Sequence, residues 1–450
     1  MGMKWEGGDP RLKYKDVLAA DSREVPKHIW EESRGSFENR VRPVSMYIGR
    51  DWHEREKKNL WSRVWQFACR EEQIPEVGDY IIYEIAGYSY LVIRVAPDHI
   101  KAYPNACLHR GRQLKDYPGR CSVIRCPFHG IAWELDGRLK EIPAPWEFPH
   151  VDPEKFRLPE ISVGTWAGFV FINPDPNAQP LHEYLGEIVD HFTKWDLENR
   201  YIEAHVSKVL RCNWKVAQEA FMECWHGAAT HPQVIPYAGI GMCQVDVYEH
   251  FARLITPSEV AGPFLRWDPN VEEMLRATLD VRLDEPLPVQ PKEGESARDY
   301  IVRVTRESWR KYYGDKIDEW ADCELVDNFT YTVFPNMMPW GGVHKICYRF
   351  RPNGDDHQSS IMEVFLLSPF AGERPKPAQE TKLGPDEPWS NASELGILAN
   401  VLDQDTYNMD RMQRGLEVLA RHAPGMTLAA YQEDNLKWFH ALLDKYVEGE

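Results

Sequence analysis

A chain of 450 residues, 43% hydrophobic and 12% aromatic, can bury at least one large core, and its length favours two or three domains over one. A net charge of −17 argues against nucleic acid and anionic lipid, polyanions that such a surface repels, and points instead to a small molecule or a basic partner. The N-terminal MGMKWEGGDPRLKYKD has no apolar leader, and no later run reaches the about eighteen apolar residues of a membrane span, so the chain is expected to be soluble and cytoplasmic. Nine cysteines at scattered spacing do not suggest a disulfide framework, which leaves metal or redox chemistry for any special sulfur.

Taken in chain order, YIIYEIAGYSYLVIRV, from about Asp79 to Val95, reads as two strands around an Ala86-Gly87 turn. A Cys/His-rich stretch follows. IAWELDGRL then sets Asp136-Gly137 between alternating segments, and TWAGFVFINPDPNAQP ends a strand in a breaker near residues 173 to 180, taken as the first domain boundary. Beyond it Leu181, Leu185, Ile188, Val189 and Phe192 recur at helical spacing, and strands return at NFTYTVF, HKICYRFRP and SSIMEVFLL. Residues 288–299 and 373–391 are polar and Pro-rich enough to be expected as long loops. There is no internal repeat.

The stretch CLHRGRQLKDYPGRCSVIRCPFHG raises the first chemical question, because each of two short clusters supplies one thiol and one imidazole. Cys107 pairs with His109, and Cys126 with His129. Two cysteines and two histidines can close a zinc tetrahedron, although zinc fingers usually pair like with like; a chance match among core residues is the bland alternative. Mixed clusters on two β-loops better suit a [2Fe–2S] centre in which Cys107 and Cys126 hold one iron and His109 and His129 the other. Cys121 is out of register and is expected to serve packing or loop structure.

A second site is read from NWKVAQEAFMECWHGAATHPQ, residues 213–233. As a helix it sets Glu219, Glu223 and His226 on one face, and Gly227 and Pro232 loosen its end so that His231 can turn back toward His226. Two histidines need one carboxylate to complete a facial triad with open positions for O2 on non-haem Fe(II). In ELGILANVLDQDTYNMDRMQRGL, Asp405 follows Leu398, Val401 and Leu402 on an apolar stripe, where an acid is costly unless paired or metal-bound. A lone H-x-x-x-x-H is more often structural. Glu223, one helical turn before His226, is placed to accept a hydrogen bond from that ring. Phe221, Met222, Cys224, Met337, Met338 and Trp340 are candidate lining for an apolar cavity, or ordinary core.

The motifs Cys107-Leu-His109-Arg-Gly and Cys126-Pro-Phe-His129-Gly followed by LDGRL resemble a Rieske iron–sulfur domain, with Ile131 where the family commonly has an aromatic residue. Glu223-Cys-Trp225-His226, NFTYTVFPNMMPW and DQDTYNMDRMQRGL extend the resemblance, over roughly residues 45–420, to Rieske non-haem iron ring-hydroxylating oxygenase α (terminal oxygenase) subunits; Glu223 replaces a more frequent Asp, and Glu219 stands where many members have Asn. The resemblance implies an α+β fold: an N-terminal segment (1–44) packing on the catalytic domain, an all-β Rieske domain (45–178), and a helix-grip catalytic domain (179–450) with a curved antiparallel sheet. It implies a Rieske [2Fe–2S] cluster on Cys107, His109, Cys126 and His129, and mononuclear Fe(II) on His226, His231 and Asp405. Glu223 is implied as the catalytic bridge to a cluster histidine of a neighbouring subunit. The implied partners are O2, a small hydrophobic substrate, a ferredoxin or NAD(P)H-dependent reductase, and further copies in a homotrimer, with or without a β subunit; neither nucleic acid nor a membrane is expected. Ring dihydroxylation of an aromatic or cyclic substrate is the favoured activity. Monooxygenation or oxidative demethylation is the alternative, and a pure electron-transfer or redox-sensing protein with a vestigial second site is the reading from another class.

Overall fold

The computed structural model describes residues 13–263, 265 and 267–448. Strands β1 (Gln66–Arg70), β2 (Asp79–Ile85), β3 (Tyr88–Ala96), β4 (His99–Pro104), β5 (Gly119–Arg120), β6 (Ile124–Arg125), β7 (Ala132–Trp133), β8 (Leu139–Glu141), β9 (Ser162–Trp166) and β10 (Phe169–Asn173) build three small sheets. Their orders are β4-β3-β2-β5, β6-β7-β8 and β1-β10-β9. The expected hairpin is present: Ile85 faces Tyr88, and Ala86 and Gly87 both take positive φ, as a two-residue turn between twisted strands demands. Phe169 to Ile172 are fully buried, so the strand before the Pro/Asn/Asp breaker is a core strand.

After the breaker the expected helical run breaks into Leu181–Leu185 and Ile188–Phe192, because Gly186 takes a positive φ between them. The rest of the chain is organised by one eight-stranded sheet made from β11 (Arg200–Leu210), β12 (Gln244–Val247), β13 (Phe251–Thr256), β14 (Asn328–Val333), β15 (Met337–Pro339), β16 (Ile346–Asn353), β17 (Asp356–Pro369) and β18 (Glu380–Leu383). Its order is β12-β13-β14-β15-β16-β17-β11-β18, with antiparallel neighbours except for the parallel pair of β11 and β18. The fold is therefore α+β with antiparallel sheets, as expected.

Both expected long loops need correction. Residues 373–391 include β18, which covers the sheet edge with only Leu383 buried, so the pairing carries almost no hydrophobic signal. The helix Ala297–Tyr313 begins inside 288–299, capped by the Ser296 side chain, which accepts from the Asp299 N–H. No described helix is long and apolar enough to cross a membrane.

Charge, not only apolar packing, joins the small sheets to the large one. Arg349 on β16 makes a bidentate pair with Glu363 on β17 at 2.6 and 2.7 Å, and its remaining Nη1 donates to the carbonyls of Phe67 and Ala68 on β1. Arg351 binds the same carboxylate and donates to the Glu84 carbonyl. A planar guanidinium can grip the acid bidentately and still donate to backbone carbonyls, whereas a lysine meets an acid only as a point charge.

The helix Trp214–Glu219 leads into the region of interest and is anchored by a fully buried ion pair. Lys215 Nζ lies 2.5 Å from Glu56, whose carboxylate also accepts from the indoles of Trp52 and Trp214. Both partners are 0% exposed, so neither charge can fall back on water. Lys215→Met should lower the unfolding free energy by about 3–5 kcal/mol, because Glu56 is left buried without its counter-ion. Urea unfolding followed by tryptophan fluorescence checks this; an unchanged midpoint would mean that the pair does not hold the helix.

Candidate metal centres

Two loops of the same construction hold the first group of candidate ligands. The Cys107 N–H donates to the Arg112 carbonyl and the Gly111 N–H returns to the Cys107 carbonyl; Cys126, Ile131 and Gly130 repeat the pattern at the same spacing. Gly111 (φ 74°) and Gly130 (φ 78°) make these reversals in a region that side chains disfavour. Both cysteines are buried beside Leu91, Ile124, Ile131 and Trp133, with the partly buried Cys121 packed against the same small core. Burial pushes the Cys107 thiol up in pKa, while the backbone N–H groups of His109 and Arg110 pull it down. The rings of His109 and His129 stand 4.6 Å apart toward the outer edge, with His129 exposed. Nδ1 of His109 is buried and has no hydrogen-bond partner. Two buried thiols, two converging imidazoles and an orphaned ring nitrogen fit a [2Fe–2S] centre ligated half by sulfur and half by nitrogen.

The second group assembles from two parts of the chain. Its helical expectation needs correction: the Trp214–Glu219 helix stops at Ala220, and a separate turn, Gly227–Thr230, begins after His226. Glu223 is the reason. Its carboxylate accepts from the His226 N–H at 3.0 Å and meets His226 Nδ1 at 2.6 Å, a local side-chain bond that competes with helix continuation. The contact expected between Glu223 and His226 exists, formed by a turn rather than by one helical face.

The long helix Leu398–His422 presents Asp405, buried with Leu402 and Met409. Asp405 Oδ1 lies 2.8 Å from His231 Nε2 and 3.5 Å from His226 Nε2. The outer nitrogens are held in turn: His231 Nδ1 lies 2.7 Å from the Gln404 amide oxygen, and His226 Nδ1 from Glu223. Each Nδ1–H is thus fixed as a donor, leaving both Nε2 atoms free beside one carboxylate oxygen, with the candidate donor atoms all within 4.8 Å of one another. Burial resists charging of His226, but the bonds to Asp405 and Glu223 outweigh it and lift its pKa to about 10. Asp405 is held below its ordinary value against its own burial by His226 and His231. A divalent cation replaces such a proton, so the residues fit a 2-His-1-carboxylate metal site.

His205, Glu363 and Glu380 also come close enough to share an ion. The guanidinium groups of Arg349 and Arg351 already occupy the Glu363 carboxylate, which makes this group a structural ion pair.

Sequence reasoning missed Gln404, whose signal was its position directly before Asp405. The expected apolar lining is only partly assembled. Phe221, Met222, Met338 and Trp340 join one core, whereas Met337 joins another, because neighbours on β15 point to opposite faces. Cys224 packs instead with Cys243, Val245 and Leu254 and is joined to Cys243 in a disulfide. This bond closes the segment that carries both His226 and His231.

The profile of the family described as ring hydroxylating alpha subunit (catalytic domain) matches residues 190–449, and that of the Rieske [2Fe-2S] domain matches residues 64–152. The chain belongs to the ring-hydroxylating oxygenase alpha-subunit family, whose members are oxidoreductases that incorporate oxygen, and its cofactors are a Rieske cluster and a mononuclear iron. It is 30% identical over 193 residues to the carnitine monooxygenase oxygenase subunit of Escherichia coli (strain K12), a match covering 42% of this chain and 52% of that one. It is 28% identical over 198 residues to the glycine betaine monooxygenase oxygenase subunit of Pseudomonas aeruginosa (strain UCBPP-PA14), covering 43% and 45%. The chain spans about half the length of these relatives. The quaternary ammonium Rieske monooxygenase CntA, in complex with gamma-butyrobetaine, has the same fold at a TM-score of 0.62 and 18% identity, over 90% of this chain and 95% of that one.

Protein prepared anaerobically with excess iron should hold about three irons and two acid-labile sulfides per chain. His226→Ala should lose the single iron and keep the cluster's visible absorption, while Cys126→Ser should bleach the cluster. Zinc without labile sulfide in the wild type, or a mononuclear iron retained in full by His226→Ala, would contradict the assignment.

Proposed function

We propose that this chain is the terminal oxygenase of a multicomponent system and that it monooxygenates a C–H bond beside a quaternary ammonium nitrogen, releasing the carbon as an aldehyde. In this reading Cys107, His109, Cys126 and His129 hold the cluster and His226, His231 and Asp405 hold the single iron. The observation that carries the substrate class is a packed aromatic group, one member of which, Tyr348, lies near Asp405. Phe221 and Tyr348 stand 4.9 Å apart and Trp340 lies 6.2 Å from Tyr348. Burial and the nearby Asp405 carboxylate together push the Tyr348 phenol far up in pKa, keeping its ring neutral. Neutral aromatic faces near an acid suit a cation that cannot donate hydrogen bonds. Two relatives named for carnitine and glycine betaine support this choice.

For an N-methyl group the reaction balances as follows: the quaternary ammonium, O2, two electrons and two protons give the N-hydroxymethyl ammonium and one water. The hydroxymethyl cation then breaks its carbon–nitrogen bond, leaving the tertiary amine, formaldehyde and a proton. Bound iron supplies O2 binding and activation at open coordination positions. The chain's own residues prepare for it: Glu223 and Gln404 fix the two imidazole tautomers, and buried Asp405 supplies the anionic ligand. An assembled triad of this kind favours an enzyme over an electron carrier with a vestigial second site.

Residues 45–178 and 179–450 are proposed as the two functional units, with 13–44 a strap on the second; residues 1–12 of the expected 1–44 segment lie outside the described residues. Exposed Phe128 and Trp146 near the cluster loops and exposed Trp225 beside His226 suit a head-to-tail ring, a homotrimer, in which Glu223 reaches a neighbour's cluster histidine. Electrons then come from a ferredoxin or an NAD(P)H-dependent reductase.

A screen of glycine betaine, carnitine, gamma-butyrobetaine and a set of aromatic hydrocarbons, with a surrogate reductase, should show O2 uptake with an ammonium compound and a stoichiometric aldehyde, formaldehyde where an N-methyl group is attacked. Product gaining two oxygens from an arene would establish ring dihydroxylation instead. Substrate-independent electron transfer with no product would leave only the carrier reading.

A further inference from the structure

The two imidazoles beside Asp405 are held from behind by unlike groups. His226 is held within its own turn, where the Glu223 carboxylate accepts from its backbone N–H and meets Nδ1 at 2.6 Å. His231 is held from another element, the helix Leu398–His422, whose Gln404 amide oxygen lies 2.7 Å from Nδ1. The next helical residue is Asp405, so one stretch of helix carries both the carboxylate beside His231 Nε2 and the group that orients the ring. The same Gln404 oxygen accepts from the Gln233 amide at 2.8 Å, and the Gln404 nitrogen faces the Gln233 oxygen at 3.5 Å, so the two amides lie head to tail. One turn along the helix, Asn408 donates to the Thr230 hydroxyl at 3.2 Å. The bonds that Gln404 and Asn408 make to residues 230–233 are all neutral, and a neutral hydrogen bond is roughly half as strong as one to a carboxylate. Gln233 is exposed, whereas the Glu223 side chain is only 10% exposed.

A carboxylate offers only acceptors, so Glu223 admits one tautomer of neutral His226, with the proton on Nδ1 and Nε2 free. An amide has an acceptor at one end and donors at the other, so Gln404 enforces that tautomer on His231 only while its oxygen faces the ring. The Gln233 N–H keeps it there. If both amides turn over together, their mutual bonds survive, and the ring meets an N–H. It then accepts at Nδ1 and carries its proton on Nε2, the atom that a metal needs free. We propose that Gln404 and Gln233 form a reversible latch on the iron site: closed, it holds His231 as a ligand; open, it releases that ligand, so that iron is loaded and lost on the His231 side while His226 stays in place. No net proton is gained or lost in opening; the ring proton moves from Nδ1 to Nε2 by way of water as the metal–nitrogen bond breaks. The inference rests on the reading of His226, His231 and Asp405 as the iron ligands. Gln404 and Gln233 act through His231 and are positioning residues.

The test is the rate at which the single iron passes from anaerobic, fully loaded protein to an excess of a ferrous chelator, with the cluster's visible absorption followed alongside. It needs neither substrate nor turnover. Gln404→Leu, of similar size but without polar atoms, should release the iron at least about tenfold faster, the low end of what losing a ligand's hydrogen-bond partner costs in metal affinity. Gln404→Glu, which offers only acceptors, should release it no faster than wild type. Gln233→Ala, at an exposed position, should fall between wild type and Gln404→Leu. A wild-type rate in Gln404→Leu or in Gln233→Ala overturns the proposal, and so does equal acceleration in Gln404→Leu and Gln404→Glu, which means packing alone. His231→Ala separates the latch from the ligand reading: if it holds iron as firmly as wild type, both fail, and if it loses iron while Gln404→Leu does not, the latch alone fails. A second readout is spectroscopic. With Co(II) in place of the single iron, proton spectra should show two shifted, water-exchangeable ring N–H signals, the one moved by Gln404→Glu belonging to His231. That signal should exchange with water faster than its partner, and faster still in Gln233→Ala. Equal exchange of the two, or faster exchange at His226, would overturn the proposal even if Gln404→Leu failed to fold.

Discussion

A carboxylate that cannot face water has to be neutralised where it stands, and Asp405, 4% exposed on the inner face of its helix, is the constraint about which the catalytic half is arranged. Its partners are two histidines from a segment far away in sequence, so the long helix, the large sheet and the 223–231 turn must be brought into one register for the charge to be tolerated. The two imidazoles are in turn fixed from behind by Glu223 and Gln404. Each layer of polar contact is thereby satisfied by the next. Without metal the arrangement is held by a shared proton; with metal the same atoms converge on a cation.

The cluster loops solve a different problem. They bring two thiols and two imidazoles together on short backbone turns with little core beneath, and do so with repeated hydrogen bonds and two glycines at positive φ. The thiol side is buried and the histidine side faces outward. An electron entering or leaving this centre has its shortest way through the imidazoles, consistent with the proposed contact at a neighbouring Glu223–His226 edge.

Much of this is legible in the sequence, for identifiable reasons. Metal-ligand spacing is local, so the two Cys/His clusters can be read directly, and an acid on an apolar helical stripe, as at Asp405, is visible because it is costly. The break after Glu219 is not legible, since the residues that follow still fit helical periodicity and only the Glu223 side chain turning back on His226 reveals the competing bond. The Cys224–Cys243 disulfide and the hydrogen bonds of Glu219 to Tyr47 and His440 join distant segments, which no local pattern encodes. Strand β18 hides in a polar, Pro-rich stretch because only one of its side chains is buried.

We propose that the two metal centres have separate tasks and are joined, between neighbouring subunits, through Glu223. Glu223→Gln keeps the size of the side chain and removes its charge, and charge-assisted hydrogen bonds are roughly twice as strong as neutral ones. Rapid mixing of prereduced Glu223→Gln with substrate and O2, after metal analysis, tests the link most directly. The account predicts full occupancy of both centres, normal reduction of the cluster by its donor, and cluster reoxidation slowed by at least about tenfold, roughly 1.4 kcal/mol of barrier. Reoxidation at the wild-type rate would contradict it.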